Sequence, residues 1–124
     1  MKYNSYSQII TSLACSMLYA VKNNNGCTFN SSGNKPSSGY MVSVNDITKI
    51  SEDELTASKL AGIVRFYYSA VQKSNHYFGL WSYSGLVYID ISVNIQSLDQ
   101  AIQIGRENKQ ISIFDVQNND VIML

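Results

Sequence analysis

The sequence predicts an α+β domain, a mainly antiparallel sheet containing a β-hairpin, with helices packed on one face. Residues 76–83 and 86–93 are two alternating segments joined through Ser84-Gly85, a two-residue hairpin turn. Residues 110–116 and 120–124 repeat that arrangement around Asn118-Asn119. Among these strands lie segments whose apolar residues recur every three or four positions, as amphipathic helices require. The resulting order is helix, strand, helix, strand, strand, helix, strand, strand. A length of 124 residues suits one domain over 1–124: a helix at 5–22, a polar loop at 23–38 and an α+β body at 39–124.

In the first helix Ile10, Leu13, Ala14, Met17, Leu18 and Val21 form one stripe. Asn23-Asn24-Asn25-Gly26 ends it, because Asn and Gly tolerate the left-handed backbone of a helix terminus. In the loop that follows, twelve of sixteen residues are Asn, Ser, Gly or Pro, which is long for a compact domain. It is a connector or an arm, and we expect the N-terminal helix to dock at a subunit interface. Residues 39–44 form the first strand. Ser51 and Glu54 match a capping box that opens a helix to about Lys73, with Leu60, Ile63, Val64, Tyr67 and Val71 inward and Tyr68 beside Arg65 on the neighbouring face. Ser97 and Gln100 open a third helix to about Asn108, with Leu98, Ala101, Ile102 and Gly105 inward.

Composition excludes several classes. Nine Lys and Arg balance nine Asp and Glu, and 15% of residues are charged, so no broad basic field exists for duplex nucleic acid. A hydrophobic content of 45% with one proline argues against disorder. Ile9 to Val21, following Lys2, has the length of a leader's apolar region, but Thr11, Ser12 and Ser16 interrupt it. No run reaches the length of a membrane span, so we expect a cytoplasmic chain with no membrane partner. Cys15 and Cys27 are either bridged or free. Cys15 falls in the apolar pattern, where cysteine behaves as a small hydrophobe. With His76 the only histidine, no metal site is expected, and no cofactor motif is present.

The hairpin turn fixes a register with two different faces. Phe78, Leu80, Val87, Ile89 and Ile91 make an aliphatic core face. The other face carries Tyr77, Trp81, Tyr83 and Tyr88, with Asp90 opposite Gly79. Rings beside an acid and a notch suit a nucleobase and its ribose, since rings stack on the base and a carboxylate accepts from hydroxyls or amines. The same surface suits a subunit interface, where Trp and Tyr are common, or both roles together. Arg65, mid-helix, and Arg106, in a last helical turn, are the two arginines available for a pyrophosphate. Asn94, at the hairpin exit, is a further candidate for base or ribose hydrogen bonding. Lys35 lies in a loop without Walker spacing. Glu52, Asp53 and Glu54 occupy a helix's first turn, where negative charge is structurally favoured, and His76 has no evident orienting partner. We expect no catalytic residues and no enzyme.

Six segments in succession carry a resemblance to other proteins: Gly39-Tyr40-Met41-Val42-Ser43, Gly79-Leu80-Trp81, Val87-Tyr88-Ile89-Asp90-Ile91-Ser92, Asp99-Gln100-Ala101-Ile102, Gly105-Arg106 and Gln110-Ile111-Ser112-Ile113-Phe114-Asp115. Over roughly the last two-thirds of the chain this resembles small phage and mobile-element proteins, and with the added N-terminal helix it resembles the Thoeris anti-defence sponge family. The resemblance implies a phage protein that sequesters a cyclic ADP-ribose isomer, such as glycocyclic ADP-ribose, without cleaving it, in the host cytoplasm. It further implies a homodimer or larger oligomer with pockets where subunits meet, and in some members capture of cyclic oligonucleotide signals. The ligand-binding candidates Arg65, Trp81, Tyr88, Asp90, Asn94 and Arg106 rest on residue chemistry. The alternatives are an interaction protein that blocks a defence enzyme by direct contact and a small hydrolase acting on the signal.

Overall fold

A computed structural model describes residues 5–124; Lys2 lies outside them. In chain order the elements are α1 (Ser5–Asn24), β1 (Gly26–Phe29), β2 (Tyr40–Ser51), α2 (Ala57–Val71), β3 (His76–Tyr83), β4 (Leu86–Ile95), α3 (Leu98–Glu107), β5 (Ser112–Asp115) and β6 (Asp120–Met123). The six strands form one curled antiparallel sheet in the order β1-β3-β4-β2-β5-β6, with the helices on one side. This is the α+β architecture expected from the sequence.

The β3–β4 hairpin forms as its alternation dictates. Ser84 and Gly85 both have positive φ, 51° and 82°, as a turn matched to the strand twist requires. Tyr83 pairs with Leu86, Trp81 with Tyr88, Gly79 with Asp90 and Tyr77 with Ser92. Phe78, Leu80, Val87, Ile89 and Ile91 are buried, and α1 and α2 close over them. From α1 come Ile10, Leu13, Ala14, Met17, Ala20 and Val21, and from α2 come Leu60, Val64, Tyr68 and Val71. The N-terminal helix thus packs within its own chain, with Tyr6, Ile9 and Tyr19 left exposed. A second cluster joins Val42, Ala101 and Ile113, seating α3 on β2 and β5.

Several elements depart from the sequence reading. The polar stretch 23–38 contains β1, whose Cys27 and Phe29 turn to the core in register with Leu80 and Phe78. Four residues are too short for alternation to stand out. The first strand runs on to Ser51, because one-residue bulges fall between Ser43 and Asn45 and between Asp46 and Thr48. Each bulge resets the alternation, so Val44, Ile47 and Ile50, spaced by three, all pack on the core. Ser51 still pairs with Leu86 and makes no side-chain cap; α2 starts later, where Thr56 Oγ1 accepts from the Lys59 N–H at 3.1 Å. The intervening turn at Glu52–Glu54 carries Leu55 into the core.

Other assignments shift by one helical face. Tyr68 is buried, and its hydroxyl donates to the Ser31 carbonyl at 2.9 Å, pinning the 23–38 segment to α2. Leu98, the first residue of α3, is exposed rather than inward; the buried residues of this helix are Ala101 and Gly105. Cys15 is exposed and Cys27 half-buried, both as free thiols; burial pushes the Cys27 thiol up to about 12, with the Lys35 charge opposing.

Gly105 sets how closely α3 approaches the sheet: a Cβ there would lie 2.6 Å from Leu124 Cδ1 and 3.1 Å from Ile113 Cγ2. Leu124 can swing aside, but Ile113 is buried and branched. Gly105→Ala should therefore cost roughly 1 kcal/mol in urea unfolding despite the helix-propensity gain of about the same size. A more stable variant would show that α3 is not seated this tightly.

Candidate functional site

The face of the sheet turned away from the helices is built in rows, because residues directly opposite in an antiparallel ladder share a face. The bulges in β2 act here too: Ser43, Asp46 and Lys49 pair with Ser92, Asp90 and Tyr88, the β4 residues that alternate with the buried Ile91, Ile89 and Val87. Adding β3 and β1 gives one row of Lys49, Tyr88, Trp81 and Gly26, and another of Asp46, Asp90, Gly79 and Thr28. A third row brings Ser43, Ser92 and Tyr77 together.

The first row is an open aromatic strip. Trp81 is 58% exposed, stacked on Tyr83 with ring centroids 5.3 Å apart and 24° between planes, and 5.9 Å from Tyr88. Gly26, paired with Trp81, contributes no side chain beside the indole. Aromatic rings left in water forgo the burial that normally stabilises them.

The second row is acidic. The carboxylate of Asp90 lies over Gly79, in the space a Cβ at that position would occupy. Burial pushes the Asp90 carboxyl up from its ordinary 3.8 to about 7; a hydrogen bond with Ser43 lowers it and the neighbouring charge of Asp46 raises it. The Ser43 hydroxyl has one proton, which it donates to Asp46 Oδ1 at 3.1 Å, so a single donor sits between two acids and can serve only one of them at a time. Near neutral pH the pair can both accept and donate hydrogen bonds, as a ribose diol or a base edge needs.

Of the six residues expected from the sequence, the structure brings Trp81, Tyr88 and Asp90 together. Asn94 lies on the same face but serves the fold. Its amide donates to the Ser38 carbonyl at 2.8 Å and to Met41 Sδ at 3.1 Å, and its Oδ1 accepts from Gln96 Nε2 at 2.7 Å. Arg65 is on α2, one turn from Tyr68, with its guanidinium 5.8 Å from the centroid of the Tyr6 ring, which itself meets the Tyr68 ring edge-on. Arg106 lines a shallow groove on α3 with Asp99, Ile102, Gln103 and Glu107. Both arginines belong to helices on the opposite side of the sheet from the strip. Sequence reasoning missed Lys49 and Asp46, which reach the face through the bulges. Their signal was the three-residue period of Ser43, Asp46 and Lys49 running beside that of Val44, Ile47 and Ile50.

Among the described residues no group of three or more His, Cys, Asp or Glu is placed to hold a metal ion, and no helix is long and apolar enough to cross a membrane. No family model, curated protein or solved structure matches the chain.

The raised Asp90 carboxyl fixes the sign of a pH effect. The folded chain holds this proton more tightly than the unfolded chain, so stability present at acid pH is lost as pH rises from about 4 through about 7. The loss is at most about 1.4 kcal/mol per pH unit inside that window. Melting temperature should fall between pH 5 and pH 8, and Asp90→Asn should flatten the curve and raise it at pH 8. An unchanged slope in the variant would assign the dependence to another group.

Proposed function

We propose that the chain binds a cyclic ADP-ribose isomer, glycocyclic ADP-ribose, and holds it without cleavage, inhibiting Thoeris immunity as a phage anti-defence protein in the bacterial host cytoplasm. The observation that carries this reading is the exposed Trp81–Tyr83–Tyr88 cluster one row from the Asp90 carboxyl over Gly79. Rings that stack on an adenine, next to an acid that meets ribose hydroxyls, match the two halves of such a ligand. The resemblance of six sequence segments to the sponge family supports the ligand class.

Capture of this kind works by stoichiometry, so affinity must be high. Nanomolar binding corresponds to about 12 kcal/mol, more than one open face supplies to a small ligand. A second copy of the chain closing over the face would bury the rings and complete the pocket. It would also provide a route for Arg65 or Arg106 of the other copy to reach the pyrophosphate. We extend the proposal to cyclic oligonucleotide signals, which the resemblance to the sponge family implies are held at separate sites of such an assembly.

The direct test is to mix the protein with cyclic ADP-ribose isomers, remove free ligand, denature by heat and identify what is released. Intact isomer is the expected result. An altered product would make the chain an enzyme, and no retained ligand would favour the second reading, in which the exposed rings contact a defence enzyme and inhibit it directly. Trp81→Ala should weaken retention by about 10- to 100-fold, the equivalent of one lost stacking contact. Unchanged retention in Trp81→Ala would place the ligand elsewhere.

A further inference from the structure

We propose that Lys49 is the phosphate anchor of this face, so that one chain alone prefers a nucleoside phosphate to the matching nucleoside. The inference rests on reading the face as a nucleotide platform and adds the residue that reads the anion.

Lys49 pairs directly with Tyr88, which pairs with Trp81. Adjacent strands lie about 4.8 Å apart, so the lysine and indole backbones are about 10 Å apart with one ring between them. That span fits a base stacked on Trp81 and Tyr88 with its phosphate at the Lys49 ammonium. Asp90 and Asp46 lie one row away, about 7 Å along the strands, where ribose hydroxyls would fall and a phosphate would be repelled. The cation and the acids therefore set a polarity for the ligand: phosphate towards the β2 edge of the aromatic row, sugar over the acidic row.

Lys49 is exposed, and its position on this face depends on the two bulges that put Ser43, Asp46 and Lys49 in line. Among the described residues the cations set over rings are Lys35 on Phe29 and Arg65 on Tyr6, both outside this face. Lys49 is thus the cation that a single chain supplies in register with the strip, whereas the two arginines sit across the sheet.

Trp81 is the only tryptophan, so its fluorescence reports occupancy of the strip. Titrations with adenosine and with adenosine 5′-monophosphate at low ionic strength separate stacking from anion binding. The expected preference for the nucleotide is about three- to tenfold, the size of one exposed charged contact. Lys49→Gln should bring that ratio to about one while leaving adenosine affinity unchanged, Lys49→Arg should restore it, and Lys59→Gln, on the exposed side of α2, should keep it. Equal affinities in the native chain, a preserved ratio in Lys49→Gln, or no response of Trp81 to either compound would overturn the assignment. The two proposals fail separately. Retention of the cyclic isomer without a Lys49-dependent preference removes Lys49 alone, and a Lys49-dependent preference without isomer retention removes the sponge reading alone.

Discussion

The aliphatic face of the β3–β4 hairpin is the constraint on which the molecule depends. Phe78, Leu80, Val87, Ile89 and Ile91 must leave water, and α1 and α2 supply the cover. Because side chains alternate along a strand, the same register that buries those five residues sends Tyr77, Trp81, Tyr83, Tyr88 and Asp90 to the opposite side. A slip of one residue would exchange the two sets and expose the core. The aromatic face is therefore a consequence of the core rather than a separate feature.

The helix-free face combines groups whose demands conflict in a monomer. Large rings remain wet while a carboxyl is desolvated enough to hold its proton near neutral pH. Neither arrangement favours folding, and each is relieved by a partner that covers the rings and donates to the acid. Only part of the chain's cationic charge faces that surface. Lys49 is in register with the rings, while Arg65 and Arg106 lie on the helical side. A neutral chain thus sets a cation beside the rings without the broad basic field that duplex nucleic acid requires.

Elements whose local pattern matches a regular period were legible in the sequence. The hairpin, the α1 stripe and the Ser97 cap of α3, which accepts from the Gln100 N–H at 3.3 Å, all followed from spacing and turn chemistry. What escaped detection was irregular. Bulged β2 has an apolar period of three, which is neither strand nor helix, so Lys49 and Asp46 could not be assigned to a face before the pairing was known. Ser51 and Glu54 satisfied a capping motif, but ladder pairing of Ser51 with Leu86 outweighed it. Within the site, Trp81, Tyr88 and Asp90 came from strict alternation. Asn94 is polar at a hairpin exit for a structural reason, holding Ser38 and Gln96, and sequence spacing carries no sign of that role.

Amide hydrogen exchange with and without glycocyclic ADP-ribose tests most directly whether the ligand sits on the helix-free face. Ligand-dependent protection should concentrate in residues 46–51, 79–83 and 86–90, the segments that contribute Asp46, Lys49, Trp81, Tyr88 and Asp90. Protection confined to α3 and the Arg106 groove, with those strands unaffected in a sample shown to retain the ligand, would contradict it.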